Sequence, residues 1–177
     1  MKKKLLIIPS ILFFFLLFIF FYLLVIDRNP SELPSVLINK KVPLFEAKSL
    51  LDKKTFVSEE EFGYETIIVN FFASWCKPCL DEHIFITRLS REKGLRIIGI
   101  NHRDNPDKAI KWLKKLGNPY SNVLLDSNAR LGIDWGVYGI PETFIVNSKG
   151  IIKYRLVGPI TKKNYNAFNL KVLESEQ

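Results

Sequence analysis

The fold of this 177-residue chain is decided by one stretch, Thr66-Ile67-Ile68-Val69-Asn70-Phe71-Phe72-Ala73-Ser74-Trp75-Cys76-Lys77-Pro78-Cys79. Its first seven residues are nearly all apolar and rich in β-branched side chains, a pattern typical of a central strand that is covered on both faces. The segment that follows suits a helix from Pro78 to about Lys93, which Gly94 ends. The sequence therefore predicts a buried strand that leads directly into a helix, with two cysteines at the junction.

The position of these two cysteines favours redox chemistry. A thiolate at a helix N-terminus meets free backbone N–H groups and the positive end of the helix dipole, and both lower the pKa of the thiol. Lys77 adds a nearby positive charge. We therefore predict that Cys76, the first and more exposed sulfur, is the nucleophile. Cys79, one helical turn further along, is then placed to resolve the mixed disulfide.

Two other roles for the pair stay open on the residues alone, half of a zinc site and two inert thiols. Zinc normally takes four ligands, and the sequence has no second Cys-x-x-Cys motif and only two histidines, His83 and His102. A chain with two cysteines in all, both within four residues, also lacks the pattern of a structural disulfide scaffold. The prediction is a redox-active disulfide formed by Cys76 and Cys79, with no metal and no cofactor.

Strand and helix patterns alternate along the rest of the chain. The predicted elements are a strand at 95–100, a helix that Asn105 caps and that runs to Leu116, a strand at 123–126, a helical turn near 129–132, a hairpin of strands at 143–146 and 151–155, and a last helix from about Thr161. This order predicts an α/β fold with a central mixed sheet flanked by helices.

A long apolar run occupies the N-terminus. The 22 residues from Leu5 to Ile26 carry no charge, and as a helix they would extend roughly 33 Å, enough to cross a hydrocarbon core of about 30 Å. A cleaved signal peptide is the alternative, but its apolar region is usually only about 7–15 residues long and ends at a small-residue cleavage site. We expect a retained transmembrane helix.

This anchor predicts four parts of the chain and their location. They are a cytoplasmic N-terminus at 1–4, a transmembrane anchor at 5–26, a linker at 27–41 and a periplasmic domain at 42–177. Three lysines, Lys2 to Lys4, precede the apolar run, so the positive-inside rule places the N-terminus in the cytoplasm. We therefore expect a single-pass protein of the bacterial inner membrane whose catalytic domain is periplasmic.

The charge of the chain does not indicate a nucleic-acid partner. The net charge is +8, and 23 basic and 18 acidic residues remain once Lys2 to Lys4 are set aside. The lysines are scattered along the sequence instead of being gathered with aromatic residues. A solvated surface is therefore favoured over nucleic-acid binding.

Four stretches carry recognisable motifs: Val69–Cys76, Cys79–His83, Ala109–Leu113 together with Leu116–Tyr120, and Gly136-Val137-Tyr138-Gly139-Ile140-Pro141-Glu142-Thr143-Phe144. Together they resemble the thioredoxin superfamily. More narrowly, they resemble the membrane-anchored thiol–disulfide interchange proteins of cytochrome c maturation, the DsbE/CcmG type. The last stretch is the most specific. With the N-terminal run, the resemblance covers nearly the whole chain.

The resemblance implies a thioredoxin-like fold and a thiol:disulfide oxidoreductase that acts as a protein-disulfide reductase. The substrate would be the Cys-x-x-Cys-His motif of apocytochrome c, kept reduced for haem attachment, or another thiol protein of cytochrome maturation. The electron donor would be a membrane thiol transporter of the DsbD/CcdA kind. A broader exported reductase, a disulfide-forming oxidase and a tethered module that binds a cytochrome or a metal without turnover remain alternatives.

The resemblance also assigns two acidic residues to catalysis. Glu82 and Glu142 match the acidic residues near the family's active site, and either could accept the proton that Cys79 loses before it attacks. A solvated helix residue is the alternative for Glu82, and an exposed loop acid is the alternative for Glu142. Asn70 stands where thioredoxin has a buried Asp, so no acid–base group is available at that position.

Substrate binding is assigned to five residues: Trp75, Lys77, Pro78, Tyr138 and Pro141. In the fold that the resemblance implies, Pro141 is cis and packs opposite the cysteine pair. Trp75 would offer a peptide-binding surface beside the disulfide, with a packing role as the alternative. Tyr138 and Trp135 are expected to line a groove beside Pro141.

Overall fold

The computed structural model describes residues 2–25 and 36–176, and in the first of these segments it describes the side chains of residues 8–24. The chain divides into two compact units, Met1–Pro30 and Ser31–Gln177. Most of the linker predicted at 27–41 lies outside the described residues.

The N-terminal unit contains one helix, α1 (Lys2–Val25), with Pro9 near its start, where a missing N–H group does least harm. Its described side chains are mostly large, apolar and exposed. Among the residues whose side chains the structure describes, 8–24 and 36–176, no helix has both the length and the hydropathy of a membrane span.

The second unit contains a two-stranded and a five-stranded sheet with helices around them. Its elements are β1 (Glu46–Lys48), β2 (Thr55–Val57), α2 (Ser58–Glu61), β3 (Ile67–Phe72), α3 (Lys77–Lys93), β4 (Arg96–His102), α4 (Pro106–Leu116), β5 (Asn122–Asp126), α5 (Arg130–Asp134), β6 (Glu142–Val146), β7 (Ile152–Val157) and α6 (Tyr165–Ser175). The larger sheet has the strand order β5-β4-β3-β6-β7. Strands β3, β4 and β5 run parallel, whereas β6 and β7 form an antiparallel hairpin next to β3. The predicted mixed sheet flanked by helices is confirmed.

Strand β3 lies at the centre of the sheet, and all six of its residues are buried. Because successive side chains of a strand point to opposite faces, Ile68 and Phe72 pack in the cluster formed with α3, α4 and α6. Ile67, Val69 and Phe71 pack in the cluster on the other face, which includes residues of β2 and α5. Asn70 is the one polar residue of β3, and it lies on the α3 face.

The structure adds to the predicted elements in two places. The hairpin β1–β2 and the short helix α2 have no counterpart among the predictions, because elements of three or four residues are too short to show a period. Helix α6 begins at Tyr165 and not at Thr161. The reason is local, since the Asn164 side chain accepts a hydrogen bond from Thr161 N at 2.6 Å and closes a turn ahead of the helix.

Candidate active site

Cys76 and Cys79 are joined in a disulfide at the start of α3. Cys76 is the N-cap residue of this helix, and its sulfur accepts a hydrogen bond from Cys79 N at 3.2 Å. Cys76 is 4% exposed and Cys79 is 1% exposed. An incoming thiol therefore has better access to the first sulfur than to the second, in the order expected for a nucleophile and a resolving cysteine.

The residues before β6 lie opposite this disulfide. The Ile140–Pro141 peptide bond is cis, as the resemblance implied, and the carbonyl oxygen of Ile140 lies 3.7 Å from the sulfur of Cys76. Pro141 is buried. The strand-to-helix junction and this turn thus meet, although 64 residues separate Cys76 from Ile140.

Glu82 lies on α3, three residues beyond Cys79, and is 1% exposed. Its carboxylate accepts hydrogen bonds from the side-chain amide of Asn70 and the backbone N–H of Ile160, both at 2.9 Å. Burial raises the pKa of Glu82 to about 7, and these two hydrogen bonds only partly oppose that effect. The alternative of a solvated helix residue is therefore wrong.

Asn70 connects Glu82 to a larger set of buried polar groups. Its amide nitrogen also donates to the Thr143 hydroxyl at 3.0 Å, and its carbonyl oxygen accepts from the Tyr120 hydroxyl at 2.8 Å. Burial, together with the nearby charge of Glu82, raises the pKa of Tyr120 well above its ordinary value. In this arrangement the amide nitrogen of Asn70, and not its carbonyl oxygen, faces Glu82, so the carboxylate meets an N–H donor.

Glu142 is fully buried as well, so the alternative of an exposed loop acid is wrong. One carboxylate oxygen accepts a hydrogen bond from Arg155 Nε at 2.8 Å and lies 2.7 Å from Arg155 Nη2 in an ion pair. The other accepts from the backbone N–H groups of Tyr138 and Gly139 at 2.9 and 3.3 Å. Arg155 also donates to the carbonyl of Gly136 at 3.0 Å. The counter-charge of Arg155 and the two backbone donors suit Glu142 to holding the turn before Pro141.

The predicted substrate-binding side chains differ in exposure. Trp75 is 61% exposed and Tyr138 is 77% exposed. The centre of the Tyr138 ring lies 4.8 Å from the guanidinium carbon of Arg155. Lys77 and Pro78 are exposed at the start of α3, and Lys77 lies 3.9 Å from Asp81.

Trp135, in contrast, does not line a groove. It is fully buried among the phenylalanines of the second core cluster, because its large apolar ring fills the space beside Phe71 and Phe144.

The two histidines, His83 and His102, make polar contacts away from the disulfide. One His83 ring nitrogen lies 3.0 Å from the Gly117 carbonyl, and burial lowers the pKa of this side chain. His102 pairs with Asp126 at 2.7 Å. Within residues 2–25 and 36–176, no group of three or more His, Cys, Asp or Glu side chains could hold a metal ion.

Three residues of the site were not predicted from the sequence. Arg155 and Tyr120 reach it through the packing of strands and loops that are distant along the chain, and no local motif marks them. Asp104 accepts hydrogen bonds from both the backbone and the side chain of Ser74, two residues before Cys76. The sequence feature that could have indicated Asp104 is its position directly before Asn105-Pro106, where α4 starts.

Comparisons with known proteins agree with this geometry. The Redoxin family model matches residues 37–169. The chain is 42% identical over 137 residues to the thiol:disulfide interchange protein DsbE of Vibrio cholerae, covering 77% of this chain and 74% of that protein. It is 45% identical over 131 residues to the DsbE protein of Haemophilus influenzae, covering 74% and 72%.

The fold is also found in solved structures. The chain matches a thiol:disulfide interchange protein of the thioredoxin family from Chlorobium tepidum with a TM-score of 0.64 and 24% identity, over 81% of this chain and 99% of that one. This likeness shows the thioredoxin-like fold, and the curated relatives show the chemistry. The chain therefore belongs to the Redoxin family, among proteins of the DsbE type, and Cys76 and Cys79 form the disulfide of a thiol–disulfide oxidoreductase.

Proposed function

We propose that this protein is a membrane-anchored reductase that keeps the Cys-x-x-Cys-His motif of apocytochrome c reduced for haem attachment. The similarity to DsbE proteins over about three quarters of the chain supports thiol–disulfide exchange. The apocytochrome client rests on the finer resemblance of the Gly136–Phe144 stretch. The observation that carries the catalytic part of the proposal is the buried Glu82 beside Cys79.

The first step follows from the position of Cys76 in the reduced enzyme. A thiolate at the N-cap of α3 is stabilised by the helix N–H groups. It attacks one sulfur of the client disulfide, a mixed disulfide forms, and the other client sulfur leaves as a thiolate that takes up a proton.

The second step uses Cys79 and Glu82. Residues three apart on a helix are neighbours on one face, so the carboxylate is suited to accept the thiol proton of Cys79. Because the pKa of Glu82 is about 7, the carboxylate and the acid are both populated near neutral pH, which is the condition for efficient proton transfer. Cys79 then attacks the Cys76 sulfur of the mixed disulfide, the bond between Cys76 and the client breaks, and the second client sulfur leaves as a thiolate that takes up a proton.

The cycle moves two electrons and two protons to the client and leaves the enzyme oxidised. A membrane thiol transporter of the DsbD/CcdA kind supplies the dithiol that reduces the enzyme again. A third protein in the cycle is needed because the periplasm is kept oxidising.

The proposed anchor is the N-terminal apolar segment. Its support is the run of 22 uncharged residues from Leu5 to Ile26 and the three lysines before it. The described side chains of α1 cover only residues 8–24 of that run. With the N-terminus in the cytoplasm, the domain that carries Cys76 would lie in the periplasm.

The direction of electron flow is tested by the thiol state of Cys76 and Cys79 in cells. Growing cells are quenched in acid, free thiols are labelled with a mass tag, and the protein is separated by size. We expect a mostly reduced pair that becomes oxidised when the transporter is deleted. A Cys76→Ser/Cys79→Ser variant, which gains no tag, is the control. A mostly oxidised pair in normal cells would overturn the reductase proposal and indicate a disulfide donor.

The client is tested by trapping. A Cys79→Ser variant cannot resolve its mixed disulfide, so it should accumulate linked to apocytochrome c, whereas the matched Cys76→Ser variant should not. The link should disappear when the cysteines of the client's haem motif are replaced. A broad mixture of exported proteins on Cys79→Ser would favour a general reductase instead, and intact cytochrome assembly in the doubly substituted strain would favour a binding module.

A further inference from the structure

The loop between β4 and α4 holds the segment that precedes the redox cysteines. The carboxylate of Asp104 accepts hydrogen bonds from Ser74 N at 2.6 Å and from the Ser74 hydroxyl at 2.8 Å. Next to it, the carbonyl of Arg103 accepts from the indole N–H of Trp75 at 3.1 Å. Two consecutive loop residues therefore bind the two residues that come directly before Cys76.

Asp104 is itself held by its own loop. Its carboxylate also accepts from the Asn101 side chain at 2.9 Å and from Asn105 N at 2.8 Å. With the two bonds from Ser74, its oxygens accept four donors. Hydrogen bonds to an ionised acceptor are about twice as strong as those between neutral groups, so this carboxylate is a firm link between the loop and Ser74.

The loop is in turn attached to the core. Arg103 N donates to the carbonyl of Asp126 at 3.1 Å, which ties the loop to the end of β5. Asn105 accepts a hydrogen bond from Lys108 N at 3.1 Å and caps α4. The position of Asp104 is therefore set by the sheet and by a helix start, both of which lie outside the Cys-x-x-Cys motif.

What Asp104 holds is the junction that presents Cys76. Residues 73–75 connect β3 to α3, and within this junction Cys76 N donates to the carbonyl of Ala73 at 3.2 Å. Trp75 is mostly exposed even though its indole nitrogen is bonded. The hydrogen bond therefore holds the ring at the surface, on the residue that directly precedes Cys76.

We propose that Asp104 is a positioning residue for thiol–disulfide exchange: through Ser74 it fixes the junction that presents Cys76, and together with the Arg103 carbonyl it keeps the Trp75 ring in the path of the client. Asp104 acts through these residues and does not touch the sulfurs. The inference rests on the exchange activity of the family and not on the identity of the client.

The test compares Asp104→Asn with Asp107→Asn in the full-length protein in detergent. Asp107 lies in the first turn of α4 and is exposed, so the control removes the same charge three residues further along. The probe is a fluorescent peptide with an intramolecular Cys-x-x-Cys-His disulfide, reduced with dithiothreitol as the electron source. We expect Asp104→Asn to lower kcat/KM by about tenfold, since a misplacement of about 1 Å between reacting groups can cost about a hundredfold in rate. Asp107→Asn should change it less than about twofold.

Two further measurements separate positioning from loss of fold. Ser74→Ala should lower kcat/KM in part, and the Asp104→Asn/Ser74→Ala double variant should be no worse than Asp104→Asn alone, because both changes break one linkage. The polarised emission of Trp75, taken as the difference from a Trp75→Phe protein, should show faster ring motion in Asp104→Asn than in Asp107→Asn. Equal kcat/KM for the Asp104→Asn and Asp107→Asn variants, fully additive effects with Ser74→Ala or unchanged Trp75 motion would each overturn the inference.

Discussion

Two buried carboxylates flank the disulfide, and they differ in their partners. Glu82 comes from α3 and meets only neutral groups, the amide of Asn70 and the N–H of Ile160. Glu142 comes from the start of β6 and meets the guanidinium of Arg155 as well as two backbone N–H groups. Both side chains are 1% exposed or less, so burial is the same on the two sides and the counter-charge is what differs.

The difference explains why similar residues serve different purposes. A buried carboxylate without a counter-charge binds a proton more readily than one in water, and this raises the pKa of Glu82 to about 7. A counter-charge with good hydrogen-bond geometry offsets the desolvation of the carboxylate instead. Glu82 is thereby suited to proton exchange, whereas the Glu142–Arg155 pair is suited to fixing the turn before Pro141.

The largest effect is expected when the counter-charge is removed from the Glu142 side. Replacing Arg155 by Met leaves the Glu142 carboxylate buried without a partner cation. Breaking a buried ion pair in this way costs about 3–5 kcal/mol. We expect the free energy of unfolding of Arg155→Met, measured by urea denaturation of the full-length protein, to fall by that amount.

The control for Arg155→Met is the double variant Glu142→Gln/Arg155→Met, which carries no unpaired charge and should regain part of the lost stability. If the single variant is as stable as the wild type, the pair does not hold the fold. If the double variant is the less stable of the two, the cost does not come from the unpaired carboxylate.

The second effect is a dependence of stability on pH that comes from Glu82. The carboxyl group is protonated in both the folded and the unfolded chain below pH 4.5, and it is ionised in both above pH about 7. Between these values the folded state binds more protons, so stability falls as the pH rises. At about 1.4 kcal/mol per pKa unit, the loss from this group is roughly 3 kcal/mol.

Glu82→Gln should remove this slope. The readout is the change in unfolding free energy between pH 5 and pH 8, not its absolute value, since Gln replaces one acceptor with a donor. The variant should gain stability relative to the wild type as the pH rises. Glu142→Gln, the matched control on the paired carboxylate, should keep the slope that Glu82 causes. An unchanged slope in Glu82→Gln would show that Glu82 titrates normally.

How much of this arrangement could be predicted depends on how far apart its members are along the chain. The β3–α3 junction was predicted because a continuous apolar run and the cysteines it leads to are local signals. The partner of Glu142 was not, since Arg155 reaches it only through the register of the β6–β7 hairpin, in which Arg155 lies opposite Phe144. Trp135 was misplaced because its nearness to Tyr138 in sequence says nothing of the direction in which the ring packs.

Asn70 shows the same limit of prediction from the sequence. The sequence showed that an amide replaces the Asp of thioredoxin, and from this it predicted that an acid–base group is missing there. It could not show that the amide faces Glu82, which is 12 residues away, or that Tyr120, 50 residues away, orients it. Those contacts depend on which helix and loop cover β3, and no local pattern encodes that.

A smaller effect is expected from Asn70→Leu. The hydrogen bond from Asn70 lowers the pKa of Glu82 against the larger effect of burial, so its loss should raise that pKa further. The carboxyl stretching band in the infrared, assigned with Glu82→Gln, measures the shift. The buried Tyr120 hydroxyl also loses its partner, at a cost of roughly 2 kcal/mol. A Glu82 pKa that stays the same or falls would contradict the assigned direction of the Asn70 amide.

The smallest effect is expected from Tyr120→Phe, which removes one hydroxyl and keeps the ring stacked on Phe72. Asn70 then loses the hydrogen bond at its carbonyl oxygen, and the stability should fall by about 1 kcal/mol. The amide can still donate to Glu82, so the pH slope of stability should remain close to that of the wild type. A steeper fall of stability with pH in Tyr120→Phe would mean that the amide has turned over, because Glu82 would then lose the N–H donor that lowers its pKa. The orientation of the Asn70 amide beside Glu82 would then depend on the hydroxyl of Tyr120, which is 50 residues from Asn70 along the chain.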